Sequence, residues 1–290
     1  MVLTQRISRA YGTVLPVRCG RLVLLTLVGS MLLTGCQGGG AAAGTPTSVA
    51  PTSASVSAPA ASSSSPAPSS TTTTIAARVV VLDPGHNGGN ARNPSVINKP
   101  VPAGRGQTKP CNTTGTATNA GYSEHAFTWD VTQRVGAKLS AKGIRVVYTR
   151  DDDNGVGPCV NERAAIGNRA GAAAVVSIHA DGSDSAGAHG FHVAYSNPPL
   201  NAAQGQPSIS LAQTLRDSLR SGGFAVSNYL GGNGLAPRND LAGLNLSERP
   251  AALIECGNMR DATEAALMST ADGRQRYANA VAAGVLTYLS

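Results

Sequence analysis

Four side chains with complementary chemistry are spread along this 290-residue chain: His86, Glu124, His179 and Glu255. Two imidazoles and a carboxylate can hold a catalytic zinc ion with one coordination position left open for water, and a second carboxylate can act as base. Each of the four falls where a predicted strand ends or a predicted helix begins, which is where α/β folds assemble their sites. His125 competes with Glu124, because adjacent residues at a helix start cannot both face one site easily, and a glutamate there can simply complement the helix dipole. Glu255 closes an apolar strand, where an unpaired carboxylate is costly without a function. Asp83 and Asp181 read as turn or capping residues that could instead orient a metal-bound histidine from behind. His189 and His192 stand three apart on a predicted strand and face opposite sides, which argues against a joint metal site. Asn258 reads as a turn residue or a substrate contact.

The elements that must position these residues follow from periodicity. Short apolar runs at 78–82, 144–149, 174–178, 190–195 and 251–255 predict strands, and helical spacing at 125–141, 160–170, 209–221, 262–268 and 273–289 predicts helices. Strands separated by helices imply one α/β domain with a mostly parallel or mixed central sheet and helices on both faces. His86, His179 and Glu255 all follow or end strands, on the side of such a sheet where ligands collect. The stretch 87–123 is too long for an ordinary loop, so it is expected to border the substrate groove.

The first 35 residues read as an export signal. Arg6, Arg9, Arg18 and Arg21 precede an apolar run at 22–33 that is too short to span a bilayer core of about 30 Å. The run closes on Leu33-Thr34-Gly35-Cys36, which resembles the lipobox of bacterial lipoproteins and implies a lipidated Cys36 as the first mature residue. Residues 36–77 are almost entirely Gly, Ala, Ser, Thr, Pro and Val, with too little bulk to bury, and are expected to form a disordered tether. Residues 78–290 are long enough for one catalytic domain with a substantial core. Without the four signal arginines, the formal charge of +7 falls to 19 basic against 16 acidic residues, too small an excess to suggest a nucleic-acid partner. A monomer is expected.

Five cysteines are sorted by compartment. Cys19 lies in the signal and Cys36 at the lipobox. Cys111 and Cys159 fall in Gly-, Pro- and Asn-rich loops and pair better with each other than with Cys256, which follows a buried-looking strand and reads as an inert core thiol. A Cys111–Cys159 bridge closes a loop of about 48 residues, worth roughly 4 kcal/mol on the chain-entropy model.

Three segments carry a family resemblance: residues 80–89, VVLDPGHNGG; residues 177–181, SIHAD; and residues 253–258, LIECGN. In this order they resemble the signature segments of the zinc-dependent N-acetylmuramoyl-L-alanine amidases, the amidase_3 family, and Glu124 matches that family's glutamate ligand by position. The Gly-, Asn- and Thr-rich stretch after His86, with Cys111 and Cys159, is similar to mycobacterial and other actinobacterial members. The resemblance implies one zinc ion held by His86, Glu124 and His179, Glu255 as catalytic base, and peptidoglycan or muropeptide as substrate. It also implies an extracytoplasmic enzyme, and the lipobox resemblance implies a tether to the outer face of the membrane through Cys36. Two rival classes remain: a zinc peptidase cutting within the stem peptide, which could use the same metal set, and a non-catalytic peptidoglycan-binding lipoprotein, which the presence of Glu255 and all three proposed ligands disfavours. A zinc carboxypeptidase of the His-x-x-Glu type is excluded, since Asn87, Gly88 and Gly89 follow His86.

Overall fold

The computed structural model describes residues 78–290. The expected export signal, the lipobox at Cys36, Cys19 and the tether to residue 77 lie outside them. In chain order the elements are β1 (Val79–Pro84), α1 (Pro94–Ile97), β2 (Pro100–Gly104), β3 (Gln107–Pro110), α2 (Glu124–Ser140), β4 (Arg145–Tyr148), α3 (Val160–Arg169), β5 (Ala174–Asp181) and β6 (His192–Ser196). There follow α4 (Gln206–Ser221), β7 (Leu235–Arg238), α5 (Ala242–Asn245), β8 (Ala251–Asn258), α6 (Ala262–Ser269) and α7 (Ala271–Leu289).

Six strands form one mixed sheet in the order β4-β1-β5-β8-β6-β7. The first four run parallel, β6 is antiparallel to β8, and β7 is parallel to β6. The α/β reading, with one mixed sheet flanked by helices on both faces, therefore holds. Side chains alternate across a strand, so each strand serves two layers. Val80, Leu82, Val176, Ile178 and Ile254 pack with Phe127, Val131, Leu215, Tyr277 and Val281 of α2, α4 and α7 into the larger core. Val81, Val175, Ala194 and Ala251 face the other way into a thinner layer with Ala172, Ala236 and Leu244, on the side of α3 and α5.

Besides the short helix α5, two features depart from the expected elements. The 87–123 segment is built rather than looped: it contains α1 and the antiparallel hairpin β2–β3, whose turn residue Arg105 binds Asn245, Ser196 and the Pro198 carbonyl. Strand β7 was not expected, since Pro237 and its polar neighbours mask it; it is the sheet's edge strand, where a proline is tolerated. Helix boundaries move by a few residues for local reasons. Pro207 in the first turn of α4 lets that helix begin at Gln206, and the Asp261 side chain caps α6 by accepting from the amides of Thr263 and Glu264.

Candidate metal centre

The turn after β1 presents His86, the first residue of α2 presents Glu124, and β5 presents His179 one residue past the Pro84↔Ile178 pair. Their nitrogen and oxygen donors all lie within 4.8 Å of one another. Glu124 stands between the two rings: His86 Nε2 is 3.1 Å from Oε2, and His179 Nδ1 is 3.0 Å from Oε1. The imidazoles meet edge to face with centroids 4.8 Å apart. His125, the competitor of Glu124, points elsewhere, with its Nδ1 2.7 Å from Asp153 Oδ2.

Glu124 is only 4 % exposed and is fixed by two backbone donors, Ala180 N to Oε1 at 3.1 Å and Thr116 N to Oε2 at 2.9 Å. Burial alone would raise its carboxyl; His86 and then His179 hold it well below the usual range. Burial likewise opposes the charged form of His86, and Glu124 outweighs it, leaving that imidazole above its ordinary value. The Thr113 carbonyl lies 3.1 Å from His86 Nδ1. A carbonyl only accepts, so a hydrogen sits on Nδ1, which leaves Nε2, 3.1 Å from Glu124 Oε2, as the nitrogen that would ligate once a metal displaces its proton.

Close approach of backbone to these side chains requires glycine at two points. A Cβ on Gly85 would sit 2.3 Å from the His179 ring, and one on Gly115, whose φ is +76°, would sit 2.8 Å from Glu124 Oε2. His86 itself has φ 59°, a left-handed conformation that surrounding contacts must hold. Two buried arginines do so. Arg163 donates to Asp83 Oδ1 at 2.7 Å, to the Pro84 carbonyl at 2.7 Å and to the His86 carbonyl at 2.9 Å. Arg150 donates to the Pro84 and Gly85 carbonyls, and Thr128 adds a 2.8 Å bond to Gly85. Asp83 is thus a brace for the end of β1 and not a partner of either cluster histidine. Burial pushes its carboxyl up, but Arg163, Ser177 and Thr149 together hold it down to about 2.

None of Arg150, Arg163, Thr113 or Gly115 stands out in the sequence pattern. The one available signal is Arg163 beside Ala164 and Gly167 on the buried stripe of α3, a charge where the helix meets the sheet. Asn258 proves structural: 1 % exposed, it binds Ser183 and Ala188 carbonyls through Nδ2 and accepts from Ser183 and Arg260 amides. Asp181 accepts the Tyr229 hydroxyl at 2.9 Å.

Glu255 lies beside His179 in the β5–β8 ladder and shares a cavity of about 550 Å³ with the cluster. Its Oε2 is buried without a hydrogen-bond partner. Burial, and then Glu124 and Asp181, push its carboxyl well above the ordinary value, with Arg238 opposing. The 87–123 segment does border this cavity, through Lys109, Pro110 and residues 112–116. A Cys111–Cys159 disulfide ties that wall to the start of α3, while Cys256 is free and buried, its thiol pushed up by burial and by Glu255. The donor set suits a zinc ion with an open position, and a protonatable carboxylate lies in the same cavity.

Residues 80–287 match the family model described as N-acetylmuramoyl-L-alanine amidase. An N-acetylmuramoyl-L-alanine amidase of Mycobacterium tuberculosis is 50% identical over 216 residues, 74% of this chain and 88% of that protein. The crystal structure of the N-acetylmuramyl-L-alanine amidase Ami1 from Mycobacterium smegmatis is 51% identical with a TM-score of 0.71, covering 73% of this chain and 96% of that one. Its counterpart in the apo form from Mycobacterium abscessus is 53% identical with a TM-score of 0.72, covering 74% and 100%.

Proposed function

Because this chain belongs to the N-acetylmuramoyl-L-alanine amidase family and hydrolyses peptidoglycan, we propose that it does so as a zinc enzyme, with His86, Glu124 and His179 as ligands and Glu255 as base. The observation that carries this reading is the convergence of three donors from three elements within 4.8 Å, in one cavity with an unpartnered Glu255 oxygen. When bound, zinc polarises the scissile carbonyl and makes a water acidic enough to lose a proton near neutral pH.

The chain's own residues supply the rest. The bond that breaks joins the lactyl carbonyl carbon of the muramic acid to the nitrogen of L-alanine. Glu255 takes a proton from the attacking water, whose oxygen adds to the carbonyl carbon, and returns that proton to the nitrogen as it leaves as an amine. Burial raises this carboxyl, the direction that suits one group acting first as base and then as acid. Thr113, through its carbonyl, keeps His86 Nε2 turned towards the cluster, and the two buried arginines keep the His86 backbone in place.

A cell-wall amidase acts outside the cytoplasm, and among the described residues no helix is long and apolar enough to cross a membrane. We propose the layout of signal 1–35, tether 36–77 and catalytic domain 78–290, with a lipidated Cys36 holding a monomer at the outer face of the membrane. Mass spectrometry of the exported protein tests the anchor: a diacylglyceryl cysteine at its N-terminus is expected, and an unmodified one rejects the anchor.

Products of a defined muropeptide test the reaction. A muramic acid with a free lactyl carboxylate and a peptide with a free L-alanine amine are expected. Cleavage within the stem peptide is the outcome that rejects it.

A further inference from the structure

Two buried polar atoms on facing residues lack partners: Nδ1 of His192 and Oε2 of Glu255. The two residues are direct partners in the antiparallel β6–β8 ladder. Directly opposed side chains rise from the same face of the sheet with Cβ atoms about 5 Å apart. Glu255 lines the cavity and His192 does not. Its surroundings are closed: His192 is 1 % exposed, and the Tyr229 ring packs on it edge to face with centroids 6.2 Å apart. Tyr229 is fixed in turn by its hydroxyl bond to Asp181.

A buried donor without an acceptor is rare, and two orphans at opposed positions beside a reactive cavity are rarer still. Each supplies what the other lacks, an N–H on one side and a lone pair on the other. The assignment of Glu255 as base being granted, we propose that His192 is a positioning residue, whose imidazole N–H holds the Glu255 carboxylate, directly or through one buried water, in the orientation that takes and returns the proton. Burial keeps this imidazole down to about 4, Arg238 acting in the same direction and Asp181 against it, so at neutral pH it is uncharged. A neutral donor steadies the carboxylate without pairing its charge and blunting it as a base. Among the histidines of the described residues it is neither a cluster member, as His86 and His179 are, nor bonded near the surface, as His125 and His189 are.

Two substitutions separate positioning from simple core filling. His192→Asn keeps an amide near the place of Nδ1; His192→Leu removes the donor and keeps the bulk. The leucine variant is expected to lose about tenfold or more in kcat with KM within about twofold of wild type, and the asparagine variant to keep kcat within about threefold. Melting temperature and zinc content should match wild type in both, and if the leucine variant does not fold, His192→Met carries the same prediction. In metal-free protein, the ring N–H of His192 in a ¹H–¹⁵N spectrum should shift in Glu255→Gln.

Wild-type kcat in the folded leucine or methionine variant overturns the proposal. So does an asparagine variant as impaired as leucine, or a ring signal indifferent to Glu255→Gln. Wild-type turnover in Glu255→Gln instead rejects Glu255 as base, whereas an inactive Glu255→Gln beside a fully active His192→Leu rejects only the role of His192.

Discussion

The two faces of the central sheet are made from the same strands and are put to opposite uses. Under α2, α4 and α7, β1, β5 and β8 present Val80, Leu82, Val176, Ile178, Ala180, Ile254 and Cys256, all buried in one continuous core. One residue out of step, the same strands present Asp83, Ser177, His179, Asp181 and Glu255 around a cavity of about 550 Å³. The alternation of a strand thus separates what holds the protein together from what it does. Substitutions of the apolar residues on the packed face should move stability and leave chemistry alone, and those of His179 and Glu255 on the other should do the reverse.

The largest effect belongs to the open face. Glu255→Gln should lower kcat by about 10²- to 10⁴-fold. Thermal melting should not fall, because the substitution removes a buried acid whose Oε2 has no partner. A matched loss of stability and activity would blur the separation of faces.

On the packed face, Phe127→Ala removes a fully buried ring that meets Tyr277 edge to face at 5.6 Å. Denaturant unfolding should show a loss of about 3–5 kcal/mol. Turnover per folded molecule at low temperature should stay at the wild-type level.

Replacing Cys111 and Cys159 together by serine tests a place where the two roles meet. The chain-entropy model gives a loss of about 4 kcal/mol at most. KM should rise as well, because Asn112, Thr113 and Thr114 line the cavity next to the bridge. Unchanged melting and kinetics would show that this wall needs no staple.

The smallest effect is a pH dependence set by Asp83. Its folded value is lowered to about 2 from an ordinary 3.8, so the stability it contributes is present above 3.8 and is lost as pH falls towards 2. That contribution is about 2 kcal/mol. Wild type should therefore lose more stability than Asp83→Asn between pH 4 and pH 2 in urea titrations, and parallel curves would remove Asp83 from the account.

The cluster residues were legible because each sits at a change of pattern: His86 after a Pro-Gly turn, His179 inside an apolar strand, Glu255 at a strand's end. Choosing Glu124 over His125 was not possible from spacing, since which of two adjacent side chains turns inward depends on where α2 starts relative to β5. The sheet was legible as α/β for the same reason as its core strands, but β7 was hidden because an edge strand needs no apolar run. Arg150 and Arg163 are not legible in the sequence because their role is to bind backbone carbonyls brought near by folding, a contact with no local signature. Strand geometry argues against His192 as a metal ligand, and only the β6–β8 register reveals that it faces Glu255.

Zinc content measured alongside hydrolysis tests the central claim most directly. The account predicts about one zinc per active chain, activity that falls with the zinc a chelator removes and returns when zinc is restored, and loss of both in His86→Ala, Glu124→Ala and His179→Ala. Full hydrolysis of muropeptide by protein free of divalent metal would contradict it.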